Sequence, residues 1–321
     1  MRETYKLMKK MLISLASVFL FVFLFGVLSF SFMYETTSYS LKFPHVITIL
    51  FYVLIATSVI LAVLTTIRPK HIHITRIKKQ NMIYLFGSGF VAVMMLVMFV
   101  YEAIVVISRA DLTAYYVLRV SRWLLCLPTC GYFILNLIPN RIKNKKITIP
   151  LSLRAIFAFS TILWIISSLF TTYFNKTMLT TDIAKVTQLL AYVLLALFII
   201  YDVLFDFSGK GVKFLIFFAL MSSVVTVSFQ FSIIFCKIIA TYSTTRAFSI
   251  PEMFTTVALG LYGFSKVAAI AKTLLIVSDS RAESTHSHKF DAPSEHHHHH
   301  HDTEAIEEKP VEEGQTADVT E

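Results

Sequence analysis

The sequence predicts an all-α protein, a polytopic membrane helix bundle of about eight transmembrane helices. Hydrophobic residues make up 56% of the 321 residues and charged residues only 15%, against about 25% charged residues in an ordinary soluble domain. Apolar stretches of roughly 20 residues, the length that crosses the hydrocarbon core of a bilayer, recur along the chain. Basic residues gather in alternate short loops, as topology signals do. These observations make a soluble enzyme domain improbable.

Each predicted span is an apolar stretch bounded by polar or basic residues. The first stretch follows a basic start, but it is longer than a signal-peptide core of roughly 7–15 residues, so we expect a retained helix. The fourth contains Arg119, Arg122 and Pro128, and it is kept because omitting it would reverse every later loop. The predicted spans are 11–33, 46–67, 82–108, 113–138, 151–174, 184–206, 211–240 and 250–277.

The loops predict the orientation. With a cytoplasmic N-terminus, the four inner segments carry fourteen Lys and Arg residues and the four outer segments carry four. Positive residues concentrate on the cytoplasmic side of membrane proteins. We therefore expect an integral protein, in the plasma membrane, with both termini cytoplasmic. The inner segments are 1–10, 68–81, 139–150 and 207–210, and the outer ones are 34–45, 109–112, 175–183 and 241–249.

Three regions follow from this: a cytoplasmic N-terminus (1–10), the helix bundle (11–278) and a cytoplasmic tail (279–321). The tail holds twelve of the twenty acidic residues and only three basic ones. Its few apolar residues do not offset the entropy of ordering, so the tail is predicted to be disordered. The run His296–His301 is interpreted as a native low-complexity tract rather than a purification tag, with no folded metal site.

Several functions are not expected. The chain has no GxxxxGK[ST], HExxH or CxxC motif, so no enzymatic activity and no cofactor are predicted. Nucleic acid is not an expected partner, because the basic residues serve as topology signals in short loops. Cys126 and Cys130 share a helix face and are interpreted as packing residues. Asn175 begins an Asn-Lys-Thr sequence on the outer side and is a possible glycosylation site.

Ionisable residues inside the spans carry the functional prediction. A charge at membrane depth costs about 2.5–3.5 kcal/mol on insertion scales, so it normally faces the bundle interior and has a partner. Glu102 and Arg119 lie symmetrically about the short connection between the third and fourth spans, with Arg122 one turn further along. We therefore expect Glu102 to contact Arg119, either as part of an ion pathway or gate or as a structural ion pair.

Three further polar residues complete the predicted ion pathway, namely Gln188, Asp202 and Gln230. Asp202 and Asp206 end the sixth span near the predicted cytoplasmic interface, where hydration or snorkelling is the simpler interpretation. Lys266 lies deep in the eighth span, and the sequence indicates no partner for it.

Parts of residues 46–206 resemble the otopetrin proton channels. The third span begins Tyr84-Leu-Phe-Gly-Ser-Gly89-Phe and ends near Glu102, which is similar to the third otopetrin helix. The fifth span, with Arg154 and the run Ser160-Thr-Ile-Leu-Trp164, resembles the fifth. The resemblance implies proton conduction, with Glu102 as the one residue carried over. Otopetrins have twelve helices and an acidic residue in the fifth, whereas this chain has about eight and none there.

The sequence leaves three functional hypotheses open. The first is a channel or transporter for protons or another small cation, because a few interior carboxylates and amides can relay protons through water. The second is a many-helix chemosensory receptor, in which polar groups converge on one closed pocket. The third is an accessory membrane protein without transport activity. In all three the lipid bilayer is a partner, and self-association into a homo-oligomer stays open.

Overall fold

The computed structural model describes five long stretches of the chain together with shorter pieces. The shorter pieces are four two-residue strands, residues 233–234 and isolated positions between residues 10 and 63. The chain divides into two compact units, Met1–Ser280 and Arg281–Glu321. The long stretches are 82–108, 114–138, 150–175, 183–231 and 249–290.

Six α-helices lie within these stretches, and a π-helix, Val224–Gln230, continues the fifth of them. The α-helices are α1 (Met82–Ser108), α2 (Ala114–Leu137), α3 (Leu151–Tyr173), α4 (Ile183–Ser208), α5 (Val212–Ser223) and α6 (Ile250–Phe290).

Two small antiparallel hairpins lie in segments that the sequence predicts as loops. Strand β1 (Tyr34–Glu35) pairs with β2 (Ser40–Leu41). Strand β3 (Arg141–Ile142) pairs with β4 (Lys145–Lys146). Each pairing is only two residues long, so the hairpins leave the fold class unchanged.

Five of the helices, α1 to α4 and α6, are long and apolar enough to cross a membrane. They match the third, fourth, fifth, sixth and eighth predicted spans, whose bounds agree closely at most ends. The first two predicted spans fall mainly outside the described residues, although the isolated positions described there are helical. The seventh span is described from its start to Phe231 and at residues 233–234, as α5 and its π-helical continuation.

The end of α6 differs from the prediction. The helix continues to Phe290, so residues 279–290 are helical where a disordered tail is predicted. This stretch contains no glycine or proline, and Pro293 is the first helix breaker after it. Propensity alone therefore does not stop the helix at the membrane boundary. Residues 291–321, including His296–His301, lie outside the described part of the chain.

Cross-helix contacts define the helix directions. Tyr116 reaches the carbonyl of Val106, and Cys130 reaches that of Ala92, so α1 and α2 are antiparallel with one constant register. Helices α4 and α6 are parallel instead. Three successive side-chain contacts join residues that are sixty positions apart in the chain. Helix α6 is the most buried of the five long helices described, because 78% of its apolar segment is buried, against 33–44% in the other four.

Small residues allow α6 to approach its neighbours closely. A Cβ at Gly260 would overlap the Thr226 hydroxyl, and one at Gly87 of α1 would overlap that of Ser265. The Ser223 hydroxyl lies 2.6 Å from two carbonyl oxygens, those of Ala219 on its own helix and Gly260 on α6, and shares its one proton between them. The π-helix begins at the next residue.

Gly260→Ala is expected to destabilise the protein by about 1–3 kcal/mol, because the new methyl group overpacks the contact with Thr226. Gly89→Ala is the matched control, since the nearest atom to a Cβ there is 3.9 Å away on Leu137. Alanine is about 1 kcal/mol more favourable than glycine within a helix, so the control should be neutral or stabilising. Thermal unfolding in detergent measures both. Equal melting temperatures for the two variants would contradict the close packing.

Candidate functional site

Two buried ionic networks occupy the interior of the bundle, near opposite ends of the helices. Both draw residues from α4 and α6 together with neighbouring helices. The Glu102 network consists of Glu102, Arg119, Arg122, Tyr192 and Glu252, and the Asp202 network consists of Tyr132, Arg154, Asp202, Asp206, Tyr262 and Lys266.

Arg122 is the centre of the Glu102 network. One guanidinium nitrogen contacts the Glu102 carboxylate, and the other lies 2.7 Å from the Glu252 carboxylate. The side chains of Glu102 and Arg122 are fully buried. Tyr192 donates its hydroxyl to Glu252 over 3.1 Å. A single arginine thus joins α1, α2 and α6, because its planar fork presents donors in two directions.

The contact between Glu102 and Arg119 is confirmed, at 3.9 Å, but Arg122 is the closer partner. Arg119 lies at the edge of the network, with 14% of its side chain exposed. Its Nε donates to the Tyr115 hydroxyl over 3.2 Å, and its guanidinium lies 5.3 Å from the centre of that ring. Glu102 therefore pairs with the predicted helix, α2. The rotation of α2 about its axis brings Arg122, rather than Arg119, closest to Glu102.

Glu252 is a network residue that is not among those predicted from the sequence. It lies in the first turn of α6, as the fourth residue of Ser249-Ile-Pro-Glu252. This is the Ser-x-x-Glu pattern of a helix N-terminus, and the Glu252 backbone N–H bonds to the Ser249 hydroxyl. In that pattern the glutamate side chain normally turns back to the cap. Here it turns towards Arg122 and Tyr192 instead. Glu252 is the one acidic residue in the eighth predicted span, and this feature of the sequence could have identified it as a site residue.

Lys266 and Asp202 are the centre of the second network. The Lys266 ammonium lies 2.7 Å from one Asp202 oxygen and 3.2 Å from an Asp206 oxygen. The other Asp202 oxygen accepts hydrogen bonds from the hydroxyls of Tyr262, at 2.8 Å, and Tyr132, at 3.2 Å. This network supplies the partner for Lys266 that the sequence did not indicate.

The expectation that Asp202 is hydrated is wrong. Asp202 is fully buried, whereas Asp206, one turn further along α4, keeps 17% of its side chain exposed. The two residues share a helix face, but α6 covers only the first completely. Arg154 lies 4.0 Å from Asp206 and donates to Asn136 over 3.2 Å, which adds α3 to this network.

Each network is balanced in formal charge. Glu102 and Glu252 oppose Arg119 and Arg122, and Asp202 and Asp206 oppose Arg154 and Lys266. Pairing of this kind allows ionisable groups to remain at membrane depth. Removing one partner from such a set leaves an uncompensated buried charge.

An apolar layer separates the two networks. Tyr192 and Asp202 are ten positions apart on α4, a rise of about 15 Å. The spacing on α6 from Glu252 to Lys266 corresponds to about 21 Å. The fully buried apolar side chains of this layer come from α1, α4 and α6, namely Met95, Met98, Leu195, Phe198 and Leu259. Three buried threonines also lie between the networks along α2 and α6, namely Thr129, Thr255 and Thr256.

The remaining predicted residues lie outside both networks. Gln188 is buried one turn before Tyr192. Gln230 is buried at the end of the π-helix, and its amide makes no hydrogen bond with the described residues. Asn175 follows α3 directly, and its carbonyl accepts from Lys185. Its glycosylation stays a prediction. Cys126 and Cys130 are buried, and Cys126 accepts a hydrogen bond from the Trp164 indole.

Comparison of the chain with protein-family models, with characterised proteins and with solved structures finds no match.

Proposed function

We propose that the protein is a membrane transport protein that conducts protons, with the Glu102 and Asp202 networks as the two ends of the proton pathway. The observation that carries the proposal is that buried carboxylates accept hydrogen bonds from tyrosine hydroxyls on both sides of an apolar layer. Ionisable groups inside membrane spans commonly mark proton relays.

The chemistry of each network suits proton transfer. A carboxylate accepts a proton, and a tyrosine hydroxyl that bonds to it both donates and accepts. The hydroxyls of Tyr262 and Tyr132 donate hydrogen bonds to Asp202, and the hydroxyl of Tyr192 donates one to Glu252. Arg122 and Lys266 hold the carboxylates in position and balance their charge. Transfer between the networks then requires water to enter the layer around Phe198 and Leu259.

The arrangement of the polar groups favours transport over the receptor hypothesis. A receptor needs polar groups that converge on one ligand pocket. Here the described ionic groups form two separate sets, each satisfied internally by partners of opposite charge. The resemblance to otopetrins in the third and fifth predicted spans makes the proton the ion to test first.

The test is proton flux into vesicles. Purified protein is reconstituted with an enclosed pH-sensitive dye, and the outside is acidified. We expect the protein to accelerate internal acidification beyond that of protein-free vesicles. Correctly folded protein that adds no flux would contradict the proposal and favour the receptor or accessory-protein hypothesis.

Tyr262→Phe is expected to lower this flux by about tenfold or more, because it removes a proton donor and acceptor next to Asp202 while keeping the ring. Tyr201→Phe is the matched control, since Tyr201 packs its ring against Phe214 and Phe218 outside both networks. Glu102→Gln should also change the flux, or its pH dependence, when the flux is measured per amount of folded protein. If Glu102→Gln only prevents folding, Glu102 is a structural ion-pair residue.

A further inference from the structure

We infer that Lys266 is a built-in cation: its ammonium group fills a site for a monovalent cation formed by Asp202, Asp206 and the ring of Tyr84. Lys266 would thereby exclude alkali-metal ions from the Asp202 network. The exclusion of competing ions rests on the proposed proton transport, whereas the cation site itself does not.

The contacts of the ammonium group are those of a cation-binding site. Its nitrogen lies 2.7 Å and 3.2 Å from carboxylate oxygens of two different aspartates, and 5.2 Å from the centre of the Tyr84 ring. Carboxylate oxygens and an aromatic face are both attractive to a monovalent cation. Potassium and ammonium ions have the same charge and nearly the same radius, so one can replace the other at such a position.

Among the described residues, the ammonium group of Lys266 is the one positive charge in contact with the Asp202 carboxylate. Only 1% of the Lys266 side chain is exposed. Arg154 is the other cationic group of the network, and it lies 4.0 Å from Asp206 on the partly exposed side. Tyr132 and Tyr262 donate hydrogen bonds to Asp202, but neither supplies a positive charge. Without the ammonium group, the buried carboxylate of Asp202 would lack an ion-pair partner among the described residues.

The ammonium group of Lys266 differs from a bound ion because it is covalently attached to the protein. A free cation between two carboxylates exchanges with the solution, so the site would bind whichever monovalent ion is abundant. The ammonium group of Lys266 is attached to α6 and cannot leave. It therefore keeps the position occupied while Asp202 and its tyrosines remain available for proton transfer.

The experiment removes the ammonium group and supplies an ion in solution. Lys266→Met and Lys266→Gln are purified in detergent, and their thermal unfolding is followed in choline, sodium, potassium and rubidium chloride at equal ionic strength. We expect both variants to be strongly destabilised in choline. An alkali ion at about a hundred times its dissociation constant should raise their melting temperatures by roughly 5 °C or more.

Two controls make the result specific. The melting temperature of the wild type, and of Lys272→Met at an exposed position on the same helix, should not differ between choline and alkali salts. The triple variant Lys266→Met/Asp202→Asn/Asp206→Asn has no carboxylate left to bind the ion, so it should lose the alkali response.

The inference is overturned if the Lys266 variants respond to alkali ions no more than Lys272→Met does. It is also overturned if both variants stay unfolded in every alkali salt, because the site requires rescue by an added cation. Unfolding needs no transport, so this result is separate from the flux test. An alkali response without proton flux would retain the cation site and reject the proposed function.

Discussion

Arg122→Met is expected to prevent the protein from accumulating in a folded state. Arg122 contacts both Glu102 and Glu252 in a fully buried position, so its loss leaves two carboxylates without their closest cation. Removing one partner from a buried ion pair typically costs about 3–5 kcal/mol. The whole free energy of unfolding of a protein is commonly about 5–15 kcal/mol. The yield of monodisperse protein in detergent and its melting temperature measure the effect.

Arg119→Met is the matched control for this variant. Arg119 lies 3.9 Å from Glu102 and is partly exposed, so its loss should cost much less than the loss of Arg122. The triple variant Arg122→Met/Glu102→Gln/Glu252→Gln should recover much of the yield, because it removes the uncompensated charges together with the arginine. If Arg119→Met and Arg122→Met are equally destabilised, Arg122 is not the centre of the network.

Asp202→Asn is expected to lower the free energy of unfolding by about 3–5 kcal/mol and to abolish proton flux in whatever protein still folds. The substitution keeps the shape of the side chain but removes the charge that balances Lys266, at a fully buried position. It also replaces one carboxylate oxygen by an NH2 group, so that the oxygen facing the ammonium group and the oxygen accepting from Tyr132 and Tyr262 are no longer both present. Thermal unfolding and the vesicle assay measure the two effects independently.

Asp206→Asn provides the comparison. Asp206 is partly exposed and lies 3.2 Å from Lys266, so Asp206→Asn should be clearly less destabilising than Asp202→Asn. Asp202→Asn/Lys266→Met should be more stable than Asp202→Asn alone, because both members of the buried pair are then neutral. A double variant that is less stable than Asp202→Asn would show that Lys266 stabilises the fold by packing rather than by charge.

Local patterns predicted a large part of this architecture. Hydropathy located the helices around residues 82–108, 113–138, 151–174, 184–206 and 250–277, because apolar length is a property of consecutive residues. Glu102 and Arg119 are equally far from the short connection between their helices. They were therefore predicted to lie at the same depth, because neighbouring helices joined by a short loop are antiparallel. Which of Arg119 and Arg122 lies closest to Glu102 depends on how α2 is rotated about its axis, and the spacing of residues in the sequence does not determine that rotation.

The ion pairs formed by α6 could not be predicted in this way. Glu252 lies 130 positions after Arg122, and Lys266 lies 60 positions after Asp206. No short connection relates these helices, so no symmetry argument applies to them. The burial of Asp202 has the same origin: its place near the end of α4 suggested hydration, but α6 covers that face.

The sequence by itself determined that the described core is helical, which of its helices are long and apolar enough to span a membrane, and which ionisable residues lie within them. These properties depend on composition and on the order of neighbouring residues. Only the tertiary structure decided that the ionisable residues form two balanced networks on either side of an apolar layer. That outcome depends on α6 packing among the other described helices, parallel to α4. Small residues allow this close approach, and Glu252 and Lys266 of α6 thereby meet partners from distant parts of the chain.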